Sequence, residues 1–167
     1  MAGDDETFEQ GGDNASKTYP IRAGEVKKGM IVMLKGKPCK VIEVTTSKTG
    51  KHGHAKANIT GKDIFTGNKV VDISPTSHNM VAPFVTVNTW TIIDVTDDGY
   101  ASLMNDEGDM KEDLQFPDSS HPNPELGDKI RTAMEAAEEA GSDVYVVVTA
   151  AMDTEQITDF KVGGADN

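Results

Sequence analysis

Short apolar runs, each closed by glycine, proline or another turn former, most narrow what this chain can become. The run IVMLK (31–35) stops at Gly36-Lys37-Pro38, and CKVIEVTTS (39–47) leads into a loop of glycine, lysine and histidine. AKANITGKDIF (55–65) stops at Thr66-Gly67-Asn68, KVVDIS (69–74) stops at Ser74-Pro75, and His78 to Ala82 is one more short run. Segments of this length between turn residues are strands, because helices need longer periodic stretches to bury a stripe. In the second run Cys39, Val41, Ile42 and Val44 supply a partly alternating apolar face. Several such strands within about 65 residues predict a small barrel.

Pro83 is the expected hinge, and the pattern changes beyond it. VTVNTWTIIDV (85–95) and YASLMN (100–105) flank a hairpin turn at Asp97-Asp98-Gly99, and DMKEDLQF (109–116) follows Glu107-Gly108. Asn123-Pro124-Glu125 reads as an N-cap, a first-turn proline and an acid matched to the helix dipole. Leu126, Ile130, Met134 and Ala137 recur at helical spacing, and Gly141 closes the segment. DVYVVVTAA (143–151) and TEQITDFKV (154–162) are two further strands. Three strands, a helix and two strands is the order of an OB barrel. The expected architecture is mainly all-β, with two small barrels in tandem and one helix in the second.

Charge divides the chain along similar lines. The net charge of −12 over 167 residues splits into −5 for residues 1–16, +8 for 17–83 and −15 for 84–167. The sequence therefore predicts a disordered acidic tail (1–16), a basic barrel (17–83) that meets phosphate, and an acidic barrel (84–167). The longest apolar stretch, Val144 to Met152, falls far short of the ~20 residues of a membrane helix. The acidic N-terminus is unlike a signal peptide, and one cysteine, Cys39, allows no internal disulfide or zinc cage. An intracellular protein is expected, cytoplasmic with the nucleus as a second compartment and with no membrane partner.

The loop Ser47-Lys48-Thr49-Gly50-Lys51-His52-Gly53-His54, followed by Lys56, is hard to explain as a mere turn. Gly50 and Gly53 free the backbone around Lys51, and no carboxylate neutralises the positive charge gathered there. A phosphate-binding P-loop fails, because Thr45 and His52 stand where glycine and Ser or Thr are required. His52 and His54 with Cys39 or His78 make a weak metal set, lacking a nearby acid. A nucleophilic Lys51 would need desolvation that a loop tip does not offer, and Ser47 shows no triad spacing. In the second barrel the acids from Asp94 to Asp113 lack the calcium-loop pattern and read as a solvated face. Trp90, Tyr100 and Phe116 read as core rather than a base-stacking platform, and the dispersed methionines as packing filler.

The residues TTSKTGKHGHAKANITGKDIFTGNK (45–69), with SPTSHNM (74–80), closely resemble the hypusine-containing family of eukaryotic translation initiation factor 5A, relatives of bacterial elongation factor P. The likeness covers about residues 18–165, as a basic SH3-like barrel followed by an acidic OB barrel. Pro117 to Gly141 reads longer than that family's usual segment. The resemblance implies that Lys51 is the modified residue: deoxyhypusine synthase adds an aminobutyl group from spermidine, and deoxyhypusine hydroxylase hydroxylates it. No bound cofactor is implied. The implied partners are the ribosome and peptidyl-tRNA. The arm on Lys51 would approach the tRNA acceptor end and favour peptide-bond formation at stalling, proline-rich sequences, and assist termination, without the protein being an enzyme. The rival reading is a general RNA-binding module in which Lys51 is one basic contact among many.

Overall fold

The computed structural model describes residues 17–48 and 55–163. The chain divides into two compact units between Phe84 and Val85. The first contains β1 (Thr18–Arg22), a 3-10 turn (Ala23–Glu25), β2 (Ile31–Leu34), β3 (Lys37–Lys48), β4 (Ala55–Asp63), β5 (Lys69–Pro75) and β6 (Asn79–Pro83). Strands β2-β3-β4-β5 form one antiparallel sheet, and β1 pairs with β6 in a second. With β6 also running beside β2, the strands curl into the SH3-like barrel. Its core is Val26, Val32, Leu34, Cys39, Val41, Ala57, Ile59 and Ala82, all buried.

Several local features explain where sequence and structure part. The first hairpin turns on Lys35 and Gly36, with φ of 52° and 81°, so that Leu34 faces Lys37. Two consecutive positive φ values define a two-residue turn whose twist matches the flanking strands. The turn thus falls one residue earlier than the glycine-to-proline run suggests, and Lys37 and Pro38 begin β3. Ile42 is not core: a bulge between Val41 and Glu43 inserts it as the extra residue and leaves it exposed. The bulge re-phases the strand so that Val41 and Val44 both pack inward. Strand β1, with Pro20 inside it, carries no strand signal in the sequence; an edge strand that pairs only with β6 tolerates the proline. At Gly61 a Cβ would lie 2.9 Å from Leu34 Cδ1 and 3.0 Å from Cys39 Cβ, so only glycine lets β4 press this closely onto the core.

The second unit contains β7 (Thr86–Val95), β8 (Tyr100–Met104), β9 (Met110–Gln115), helix α1 (Leu126–Ala140), β10 (Val144–Ala151) and β11 (Thr154–Val162). The sheet order is β11-β10-β7-β8-β9, and β9 meets β11 to close the barrel. This is the OB arrangement, with the helix between the third and fourth strands. Leu126, Ile130 and Ala137 of α1 are buried with Ile92, Leu103, Leu114, Phe116, Val146, Val148 and Ile157, and Met134 packs partly against them. Gly141 ends the helix in the left-handed region, φ 70°, with its N–H bonded to the Ala137 carbonyl. At the other end Asn123 Oδ1 accepts from the Glu125 N–H at 3.2 Å, and the Leu126 N–H bonds to the Asn123 carbonyl. Asn123 therefore caps a tight turn ahead of the helix rather than its first α turn.

The long segment before α1 is tied down at three points. Asp118 accepts from the Ser120 N–H and hydroxyl, which holds its carboxyl below its usual range. His121 accepts at Nδ1 from the Asn123 N–H, so Nε2 carries the proton and donates to the Ile157 carbonyl of β11 at 2.8 Å. The Pro117 carbonyl lies where a Cβ on Gly127 would stand, 2.3 Å away.

The barrel seam is clasped by Lys111 of β9, whose Nζ lies 2.8 Å from Glu155 of β11 and 3.2 Å from Asp113. Its side chain is 17% exposed and its ammonium lies 6.0 Å from the Trp90 ring centroid. The hydrogen bond to Glu155 is the main cause that raises the Lys111 pKa above its ordinary 10.5. A raised folded-state pKa means the clasp is at full strength below 10.5 and fades as pH climbs through the folded value. The stability difference between wild type and Lys111→Met should therefore stay constant from neutral pH to about 9 and shrink above 10.5. Urea titrations at each pH measure it, and a difference that grows with alkali contradicts the clasp.

Candidate functional site

The hairpin of β3 and β4 carries the candidate segment at its tip. Beyond Lys40, which faces Ile31, β3 has lost β2 and pairs with β4 alone. The ladder runs on through Thr45↔Asn58, Thr46↔Ala57 and Ser47↔Lys56 to Lys48↔Ala55. Strand β5 follows β4 only as far as Lys56↔Pro75, after which the Thr76 N–H bonds to the Ala55 carbonyl at 2.9 Å. Residues 45–48 are exposed. The two strands thus form a ribbon that runs on past β2, with β5 beside β4 almost to its end, and segment 49–54 joins them in sequence.

Of the candidate residues, Ser47, Lys48 and Lys56 fall on this ribbon. Thr49, Gly50, Lys51, His52, Gly53 and His54 lie outside the described residues. Partners across an antiparallel pair share a face, and alternate residues switch faces. Ser47 and Lys56 therefore lie together on the outer face, whereas Lys48 lies with Ala55 on the face that continues toward the core. The two lysines flank the tip from opposite sides and do not converge. Both are exposed, and neither has an ion-pair partner among the described residues.

Cys39 belongs to a different place. It faces Asp63 at the far end of the hairpin, nine residues along β3 from Lys48, a span of roughly 30 Å at strand rise. It is fully buried, while His78 sits exposed in the turn before β6, so Cys39 cannot join a metal set at the tip. Burial, reinforced by the Asp63 carboxylate, pushes its thiol up to about 11. Such a thiol is protonated and shielded, hence unreactive. We expect a thiol reagent at pH 8 to label Cys39 only in denaturant; prompt labelling of folded protein would contradict the packing around it.

In the second unit Trp90 and Phe116 serve packing, whereas Tyr100 is outside the core cluster. Phe116 is buried beneath the Arg131 guanidinium, 4.8 Å from its ring centroid, and Trp90 packs partly against the core beneath Lys111. Tyr100 is half-buried, and the acids Asp97, Asp98, Asp106, Glu107, Asp109, Glu112 and Asp113 are exposed. Among the described residues no three His, Cys, Asp or Glu side chains gather into a metal set, and no helix is long and apolar enough to cross a membrane.

A basic barrel that extends a lysine-flanked ribbon, joined in sequence to an acidic OB barrel, is the two-domain arrangement that the resemblance to the translation factors implies. Comparison with known families agrees. Residues 16–78 match the family described as translation initiation factor 5A-like, N-terminal, and residues 84–161 match eukaryotic elongation factor 5A hypusine, DNA-binding OB fold. The chain belongs to the eukaryotic translation initiation factor 5A family. It is 44% identical to eukaryotic translation initiation factor 5A of Leishmania donovani, over 96% of this chain and 97% of that one. It is 42% identical to factor 5A-2 of Saccharomyces cerevisiae, over 96% of each chain. Among solved structures, a family protein from Naegleria fowleri superposes with a TM-score of 0.72 at 49% identity, covering 87% of this chain and 99% of that one. The factor from Methanococcus jannaschii gives 0.63 at 25% identity, covering 87% and 96%.

Proposed function

We propose that this chain binds the ribosome and acts through Lys51, lengthened by an aminobutyl group and hydroxylated to hypusine. The observation that carries this reading is the ribbon of β3 and β4, which ends in S-K-T-G-K-H-G-H within a chain of the hypusine family. Lysine is a compact cation on a flexible four-carbon stem. Adding an aminobutyl group roughly doubles its reach and leaves two protonatable amines near each other. Such an arm enters a narrow phosphate-lined channel that excludes a folded barrel, and there it meets the acceptor end of peptidyl-tRNA. Holding that end in a reactive geometry lowers the barrier by positioning. The chemistry belongs to the ribosome, so the factor needs no catalytic residue and no bound cofactor. Proline-rich nascent chains, whose geometry is least favourable, benefit most, and termination is assisted by the same contact.

Lys48 and Lys56 are supporting contacts, as are Ser47, Thr49, Gly50, His52, Gly53 and His54. The glycines at 50 and 53 let a modifying enzyme close on Lys51 alone. Peptide mass spectrometry of protein from its native host is therefore expected to find the added mass on Lys51 and nowhere else. An unmodified Lys51, or an aminobutyl group on Lys48, refutes the assignment. The reading of the barrels as a general RNA-binding module, with Lys51 unexceptional, predicts no modification at all.

A further inference from the structure

Strand register brings together three lysines that are scattered in the sequence. Lys40 of β3 lies directly opposite Lys62 of β4, and Lys62 lies directly opposite Lys69 of β5. All three are exposed. They form one rung across the outer face of the sheet, the same face that bears Lys56 near the tip. Like charges directly opposite each other on a sheet are destabilising. Among the described residues none of the three has a carboxylate within ion-pairing distance. The next rung of this face, Glu43–Thr60–Val71, supplies one acid, and Thr45–Asn58–Ile73 beyond it supplies none.

We infer that the Lys40–Lys62–Lys69 rung is a second anion-binding surface, whose occupant is the phosphate backbone of structured RNA. Three ammonium groups on adjacent strands, ~5 Å apart at the backbone, can contact neighbouring phosphates along one strand. The rung lies six residues along β4 from Lys56, so about 20 Å separates it from the tip end of the ribbon. One face thus offers two separate cationic contacts, with a largely uncharged surface between them. The geometry suits a backbone that passes along the barrel while the tip reaches elsewhere. Backbone contacts of this kind position a protein and carry no base specificity.

The test uses the full chain with Lys51 unmodified and a ~16-base-pair RNA duplex, long enough to offer a run of backbone. Binding is followed by fluorescence anisotropy from low to high salt. Because no ribosome and no hypusine are present, the outcome is independent of the proposal for Lys51. Replacing Lys40, Lys62 and Lys69 with glutamine should flatten the slope of log affinity against log salt by about two or more, since each lost phosphate contact removes about one. The same number of charges removed elsewhere on the unit, from Arg22, Lys27 and Lys35, should change it by less than one. Lys62→Gln alone should flatten it by about one. The rung variant should melt at or above the wild-type temperature, because like charges have been separated. Equal losses in both triple variants would show only a diffuse field and overturn the site. So would failure of the wild type to bind the duplex at low salt.

Discussion

Lys51→Arg is expected to leave the protein folded and to abolish its modification. The position falls in the sequence segment that joins β3 to β4. Arginine keeps the charge and nearly the length, so stability should move by no more than the ~0.5 kcal/mol usual for such substitutions. Its guanidinium is always protonated and cannot act as the amine that accepts an aminobutyl group. Incubation with deoxyhypusine synthase and spermidine should therefore raise the mass of wild type and leave that of the variant unchanged. Its melting curve should overlay that of the wild type. Loss of folding in Lys51→Arg would mean that segment 49–54 is structural, and uptake of the group by the variant would mean that another lysine is the acceptor.

Ile130→Ala is expected to unfold the second unit selectively. Ile130 is fully buried in the cluster of Leu103, Phe116, Leu126 and Val146, where α1 covers the barrel. Truncating a buried isoleucine to alanine costs about 2–5 kcal/mol from transfer and cavity together, against a domain stability of ~5–15 kcal/mol. The transition of this unit should fall by about 10 °C or more. Trp90 is the only tryptophan and belongs to this unit, so its fluorescence reports the change directly. Labelling of Cys39, buried in the first unit's core, reports the other transition. With separate cores, Cys39 protection in Ile130→Ala should persist at temperatures where the Trp90 signal is already lost. If both signals fail together, the two units melt as one body.

Much of this architecture could be read from residues because local signals agreed. The run from Leu126 to Gly141 carried helical spacing and a terminal glycine, and α1 buries Leu126, Ile130 and Ala137 and half-buries Met134. Asn123, read as the N-cap, instead lies two residues ahead of the cap position at Glu125. Asp97-Asp98-Gly99 marked the turn between β7 and β8, where Gly99 takes a φ of 90°. The misses have a common cause in information that only pairing supplies. Strand β1 has no turn-bounded alternation of its own and exists because β6 offers it an edge. Ile42 looked like core because the pattern of alternation cannot reveal an inserted residue. At the candidate site, the sequence singled out Lys51 by its glycines and histidines, and Lys48 and Lys56 by proximity. It could not show that these last two face opposite ways. Nor could it show that Lys40, Lys62 and Lys69 share a rung, since strand register decides both.

The most direct test of the central claim is translation by purified ribosomes on polyproline and ordinary templates, with three forms of the protein compared. Hypusine-bearing wild type should raise peptide-bond formation on the polyproline template and change the ordinary one little. Unmodified wild type and Lys51→Arg should give no stimulation on either, although their charge at position 51 is intact. Removing a charge elsewhere on the first barrel, as in Lys37→Ala, should reduce the effect only in part. If Lys51→Arg stimulates polyproline synthesis as well as the modified protein does, the arm is not the active element and the account fails.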